Sequence, residues 1–499
     1  MAGVSSPVEI GEAESTQTSQ PSVAPPSRRF APHSVPPPES HAVEKSPVTV
    51  PEERTGSAPP KVVQAIRSRT RTPWFNHALR GVCVMYIVLI VVAVVAYKTM
   101  FIEMVVQDPY FGVYSVVVCV FILSRFGFSL FYRAAPDPPA PLVPTIAIVM
   151  PAFNEEEAVA ASIRSLLEAD YPAAKLEIVV VNDGSTDNTL REIRSVADYN
   201  PGVRVIDFPE NRGKRAAMAA GIRATSAEVI AFVDSDSALE RNALRRIVRG
   251  FHDPKVGAIA GHADVKNSRE TWITRMQAVR YFVAFRVCKA AESIFGAVTC
   301  CSGCFSAYRR AAIAPILERW ENQRFLGREA TYGDDRSLTN FVLRNWKVKY
   351  DETARSVTIV PAHFRLFLRQ QLRWKRSWTR ESLIVGRFIW RKSPFASMWA
   401  YLGIILPLLA PIVAVRAIVW LPLMGGGGAP LIYLIGIYAM ALVYGLYYGF
   451  KHGRYDTLWI FGVMFVFFYI AFLLWQTYYA ILTSRNSSWG TRGAVEAAS

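Results

Sequence analysis

Four short stretches carry side chains whose types and spacing can do chemistry. In "AFVDSDSA", Asp234 and Asp236 close an apolar run with one residue between them. On a strand, alternate residues share a face, so the two carboxylates are expected to point the same way. Close carboxylates repel and call for a cation, and Mg²⁺ or Mn²⁺ bridging a diphosphate supplies it. A pair of turn carboxylates is the plainer alternative. In "VVVNDGSTDNT", Asp183 ends a strand before Gly184 and Ser185. It can accept a hydrogen bond from a nucleobase imide, or cap the next turn. "NRGKRAAM" opens a helix at Gly213, Lys214 and Arg215, and cations at a helix N-terminus suit an anionic nucleotide, although a solvated basic turn reads the same way. "ATYGDDRSLTNFVL" sets Asp334 and Asp335 before an amphipathic helix, either as N-cap acids or as a base that takes a hydroxyl proton.

The elements that position these residues follow from hydrophobic patterning. From about 143 to 360, short apolar runs alternate with amphipathic segments. "TIAIVM", "EIVVVND", "VRVIDF" and "EVIAFVDSD" read as buried parallel strands. "EEEAVAASIRSLLEAD", "TDNTLREIRSVAD" and "GKRAAMAAGIRATS" read as the helices between them. Such alternation predicts a doubly wound α/β sheet, with ligands beyond the carboxyl ends of its strands, where Asp183, Asp234 and Asp236 fall.

The flanks have another texture. The chain has 499 residues and a net charge of +16, a length that implies two or more structural units. Residues 1–60 are rich in Pro and Ser and almost free of aromatics, a composition that cannot build a core. A basic segment and two apolar spans, 81–101 and 110–132, fill 61–135. Further apolar runs cover 397–424, 429–450 and 457–482, within a membrane region of 397–484. The basic flanks fit the positive-inside bias, which puts 143–360 in the cytosol of a multi-pass protein. No zinc-finger or RNA-binding spacing appears, so nucleic acid is not an expected partner. Cys301 and Cys304 lack a second ligand pair, which leaves zinc without a site.

Between these regions lies "RLFLRQQLRWKRSWTRESL", within an interfacial segment of 361–396. Its charges and rings suit a helix at a membrane surface, but Gln370 and Gln371 do not need one. Taken in order, PAFNE, NDGSTD, GKR, DSD, SGC-x-x-x-YRR, GDDRSLTN, QQLRW and the terminal SWGTR resemble processive, membrane-embedded family 2 glycosyltransferases, most closely hyaluronan synthases. The resemblance covers roughly 143–492. It extends to chitooligosaccharide synthases of the nodulation type and, more distantly, to cellulose synthases.

The resemblance implies a GT-A-like (Rossmann-like) cytosolic domain fused to transmembrane helices in the plasma membrane. The implied donors are UDP-GlcNAc and UDP-GlcA, and the product is a polysaccharide such as hyaluronan. The alternatives are a chitin- or chitooligosaccharide-type N-acetylglucosaminyltransferase and a non-catalytic transporter or scaffold. It puts Asp183 on uracil, Lys214 near the nucleotide, Asp234 and Asp236 at diphosphate and metal, and Asp335 as catalytic base. Gln370, Arg373 and Trp374 would line the acceptor and pyrophosphate site, with Ser302, Gly303 and Cys304 beside the acceptor. Trp489 to Arg492, in the tail 485–499, would be a cytosolic gating element. Two features depart from the family pattern. Cys304 stands where hyaluronan synthases often have Pro, and a cytosolic tail needs one C-terminal apolar segment to bend back, for which 457–482 is the expected place.

Overall fold

The structure, a computed structural model, describes Met85 and residues 109–138, 142–425, 428–452 and 456–485. The 1–60 stretch, the rest of the 81–101 span and Trp489–Arg492 lie outside the described residues.

One eight-stranded sheet organises the soluble part, in the order β3-β2-β1-β4-β7-β6-β10-β5. β1 (Ile146–Ala152), β2 (Leu176–Asn182), β3 (Val203–Asp207) and β4 (Val229–Phe232) are mutually parallel, as their apolar runs predict. The reason those runs do not alternate is visible in the packing. Ala147, Val149, Val179 and Val181 enter one core, whereas Ile146, Ile148, Met150, Ile178 and Val180 enter a second core. Alternate residues serve opposite faces, and both faces are covered. α2 (Val159–Leu167), α3 (Thr189–Ala197) and α4 (Lys214–Arg223) are the helices expected between the strands.

The other half of the sheet departs from the parallel expectation. β7 (Ser306–Arg309) lies antiparallel between β4 and β6 (Val256–Val265). β10 (Lys347–Thr358) is parallel to β6 and antiparallel to β5 (Ser237–Leu239). β8 (Arg324–Phe325) and β9 (Arg328–Glu329) form a separate hairpin. The sheet is therefore mixed. Its α/β class stands, but the doubly wound parallel form holds only for β1 to β4.

Among the described residues, three helices are long and apolar enough to cross a membrane: Gly112–Phe131 in α1 (Pro109–Phe131), Pro394–Leu423, and Ala429–Gly449 in α10 (Ala429–His452). The second begins as α9 (Pro394–Val415), where the Ser393 hydroxyl caps the Ala396 N–H ahead of a proline first turn. The 457–482 run, expected to bend back, is broken and not continuous. α11 (Trp459–Phe468) passes through a π-helical turn, and the run bends by 45° before α12 (Gln476–Leu482). A broken apolar helix leaves carbonyls that need donors. Lys375 supplies one, donating to the Leu473 carbonyl and, at 2.8 Å, to Thr477 Oγ1. Lys375 belongs to α8 (Phe364–Gly386), the helix that carries the paired glutamines.

Candidate active site

The carboxyl ends of β1, β2 and β4 open on a cavity of about 760 Å³. Asp183, Lys214, Asp234, Asp236, Ser302, Gly303, Cys304, Asp335, Gln370, Arg373 and Trp374 all line it. Every sequence-predicted site residue within the described part is thus in one place. The same cavity continues to Phe121, Trp399, Gly403 and Pro407 on the membrane-length helices.

Asp183 is 2% exposed and follows β2 directly. Its Oδ1 accepts the Arg212 N–H at 2.8 Å, and Asn211 Nδ2 donates to Oδ2 at 3.2 Å. The carboxylate therefore anchors the loop that leads into α4. Burial pushes its pKa up, and the N–H groups of Arg212 and Gly213 oppose that rise.

The Asp-x-Asp pair does not sit on a strand. β4 ends at Phe232, because the Asp234 N–H turns aside to the Gly303 carbonyl at 3.0 Å. The Asp234 carbonyl then accepts the Ser237 N–H, so Asp234 to Ser237 is a turn. Both carboxylates reach the cavity from that turn. Lys214 forms an ion pair with Asp234. Burial works against the Lys214 charge, but Asp234, then Asp335 and Asp334, outweigh it and hold the ammonium above the ordinary lysine range. Asp236 is pushed up to about 6, first by burial and then by the Asp234 charge. A Cβ at Gly303 would lie 2.7 Å from both Asp234 carboxylate oxygens, so a larger residue there has to displace that carboxylate. Next to it, the Ser302 hydroxyl is buried without a hydrogen-bond partner among the described residues.

Sequence alone treats Asp334 and Asp335 alike, and the structure separates them. Neither is an N-cap. Gly333 takes that position at φ 77°, and the two acids open α7 (Asp334–Leu343). Asp334 turns inward, where Arg215 Nε donates to it at 2.8 Å in a buried ion pair. Asp335 faces the cavity, with its Oδ1 on the Arg336 N–H at 2.8 Å and the Cys300 thiol 3.6 Å from Oδ2. A Cβ on Gly333 would lie 1.8 Å from the Ser377 hydroxyl, so the Gly-Asp-Asp turn packs directly on α8.

From α8, Gln370, Arg373 and Trp374 enter the cavity, and burial pulls Arg373 below its ordinary pKa against the favourable charges of Asp335, Asp334, Asp234 and Asp236. Gln371 also lines the cavity, where it is largely buried and accepts from Arg280. Arg280 also stands over the Trp374 ring, 5.3 Å from its centroid. Sequence reasoning missed Arg280, and the unexplained second glutamine was the only signal for it.

The sequence profile "Glycosyl transferase family 2" matches residues 147–317. The chain is 32% identical over 392 residues to the hyaluronan synthase of Streptococcus pyogenes, covering 77% of this chain and 91% of that one. The chain belongs to glycosyltransferase family 2. It is also similar to an N-acetylglucosaminyltransferase of Rhizobium meliloti, with 36% identity over 256 residues, 51% of this glycosyltransferase and 60% of the relative. Among solved structures, a mannosyltransferase from Pyrobaculum calidifontis in complex with GDP-Man and Mn²⁺ aligns at TM-score 0.48 and 19% identity, covering 74% and 98% of the two chains.

The acidic pair of this glycosyltransferase fits a divalent cation on its own chemistry. Among the described residues no third Asp, Glu, His or Cys joins Asp234 and Asp236. Mg²⁺ and Mn²⁺ are commonly held by one or two carboxylates with phosphate oxygens from a substrate, so a two-carboxylate wall suits them. Asp236 is raised first by burial and then by the Asp234 charge, and a bound cation would offset both.

Proposed function

We propose that this glycosyltransferase builds a polysaccharide such as hyaluronan from UDP-GlcNAc and UDP-GlcA. It acts by inverting transfer and passes the product outward between its own apolar helices. Its catalytic domain then faces the cytosol and its spans lie in the plasma membrane. The single cavity running from Asp183 and Asp234, past Asp335, to Phe121, Trp399 and Pro407 carries this reading, because it joins a nucleotide-sized wall to membrane-length helices.

In that scheme Asp183 accepts from the uracil imide. Asp335 takes the proton of the acceptor hydroxyl as its oxygen attacks the anomeric carbon, and the bond from that carbon to the diphosphate breaks to release UDP. Lys214 and Arg373 meet the negative charge that grows on the leaving group. A Mg²⁺ or Mn²⁺ ion held by Asp234 and Asp236 supplies further positive charge there. Gln370, Ser302, Gly303 and Cys304 wall the acceptor side. Trp489 and Arg492, outside the described residues, serve as the gating element on nucleotide binding.

Trp374 offers the acceptor a ring face, with Arg280 holding the indole in place. Trp374→Ala is expected to slow elongation by about tenfold while donor hydrolysis by water changes little, since loss of an aromatic contact falls on the acceptor alone. Equal loss of both rates would assign the ring a structural role.

The whole reading is tested by giving purified, full-length protein single and paired UDP-sugars, then treating the product with hyaluronan-specific and chitin-specific hydrolases. Polymer made only from the UDP-GlcNAc and UDP-GlcA pair supports it. The Rhizobium relative favours a second reading, a polymer or oligomer of GlcNAc alone, which needs only the one donor.

A further inference from the structure

Lys289 is a charged residue that the scheme above leaves unused. It closes the π-helical turn Val283–Lys289, which interrupts the helix running on from α6 (Trp272–Phe282). Turns of this kind inside helices often mark functional positions. Val287 of the same turn packs with Leu123 and Phe126 of α1, so the turn stands at the membrane side of the cavity. Lys289 is 8% exposed and lines the cavity. Its Nζ lies 3.7 Å from the centroid of the Phe285 ring. Among the described residues no carboxylate lies within ion-pair distance of it.

A cation held against a ring, in a wall shielded from bulk water, is costly without an anion. Neighbouring cations have one or another partner. Arg125 pairs with Glu292 at 3.1 Å, Arg280 donates to Gln371, and Lys375 is tied to Leu473 and Thr477. Glu292 is in turn occupied by the N–H and hydroxyl of Thr299 at 3.1 and 3.3 Å.

The placement of Lys289 identifies what would reach it. Glu292, three residues after Lys289, accepts the Thr299 N–H at 3.1 Å, which ties this helix to the start of the 300–304 loop, and Lys289, Cys300, Ser302 and Cys304 line the same cavity. That loop touches Asp335 through Cys300 and crowds Asp234 through Gly303. The unpartnered Ser302 hydroxyl lies on it as well. The diphosphate side already has Lys214 and Arg373. An anion at Lys289 therefore belongs to the acceptor chain.

We propose that Lys289 is the specificity determinant for an acidic acceptor: its ammonium binds the ring carboxylate of a uronic acid unit in the acceptor cavity, and Ser302 Oγ, which lines the same cavity, is the hydroxyl that completes the subsite. This rests on the glycosyltransferase reading of the cavity, and it selects an acidic polymer over a neutral one.

The test measures binding, so that it does not depend on turnover. Full-length protein in detergent is titrated with a tetrasaccharide alternating GlcNAc and GlcA, and with the same tetrasaccharide after reduction of its carboxyls to alcohols. Wild type is expected to bind the acidic form roughly tenfold more tightly, the scale of one charge-assisted hydrogen bond. Lys289→Met brings the ratio close to one, and Lys289→Arg keeps most of it, which separates loss of charge from loss of fold. Size-exclusion profile and melting temperature check both variants. A wild-type ratio of one, or a Lys289→Met ratio like wild type, overturns the proposal. Loss of UDP affinity with the acid-to-neutral ratio intact also overturns it and puts the ammonium on the diphosphate. Failure of the purified protein to polymerise any donor, with the ratio and its loss in Lys289→Met intact, would count against the polymerase reading and leave the carboxylate subsite standing.

Discussion

Asp335→Asn is expected to abolish nearly all polymer formation, by about 10²–10⁴-fold, while the Kd for UDP stays within about twofold of wild type. The asymmetry follows from where the carboxylate sits. Asp335 lies on the cavity wall with one oxygen on the Arg336 N–H, whereas the residues proposed to meet the nucleotide are Asp183, Lys214 and the Asp234 turn. An amide keeps the shape and accepts the same N–H, but it cannot take a proton. Asp334→Asn is a different experiment despite its adjacency. It removes the charge that the buried Arg215 faces at 2.8 Å and leaves that guanidinium uncompensated. Breaking such a buried pair costs about 3–5 kcal/mol, so the effect appears as a lower melting temperature. Steady-state rates, UDP titration and thermal melts on the two variants separate the roles. An Asp335→Asn enzyme with near-normal turnover would end the base assignment.

Removing divalent cations is expected to stop turnover, and adding Mg²⁺ or Mn²⁺ to restore it. Without the cation, the incoming diphosphate meets Asp234 and Asp236 with only Lys214 and Arg373 to offset them. Asp236, pushed up to about 6 by burial and by Asp234, sets the pH dependence. Its folded pKa lies above the ordinary aspartate value near 4, so the metal-free protein binds an extra proton on folding between roughly pH 4 and 6. That contribution to stability is present at low pH and is lost as pH rises through about 6. Metal competes with that same proton. Its apparent affinity therefore climbs as pH rises towards about 6 and levels off above it. Isothermal titration of Mn²⁺ at several pH values reads the trend, and Asp236→Asn removes it. Full turnover in excess chelator, with metal loss verified by elemental analysis, would rule out the metal role.

Much of this was legible in the sequence because local pattern and tertiary packing agree. β1 and β2 read as unbroken apolar runs since each feeds two cores at once. An irregularity in 457–482 was expected from its length and Gln476 as a segment bending back, and the run bends there by 45°. What sequence could not give depends on partners far away along the chain. β7 enters between β4 and β6 from some 70 residues beyond β4, and nothing local announces its antiparallel direction. Asp234 leaves the strand because of a carbonyl at Gly303. Asp334 and Asp335 carry the same side chain in the same turn, and only Arg215, 119 positions away, tells them apart. Lys289 had no motif around it, and its meaning came from the cavity wall it shares.

The most direct measurement uses full-length protein in sealed vesicles, with the catalytic side outward and radiolabelled UDP-GlcNAc and UDP-GlcA supplied outside. Labelled polymer should accumulate inside, protected from added hyaluronan lyase until detergent opens the vesicles, and Asp335→Asn vesicles should hold none. Polymer that the lyase digests completely in intact vesicles would contradict passage from the cavity into the membrane helices, and no polymer from the paired donors would contradict the polymerase itself.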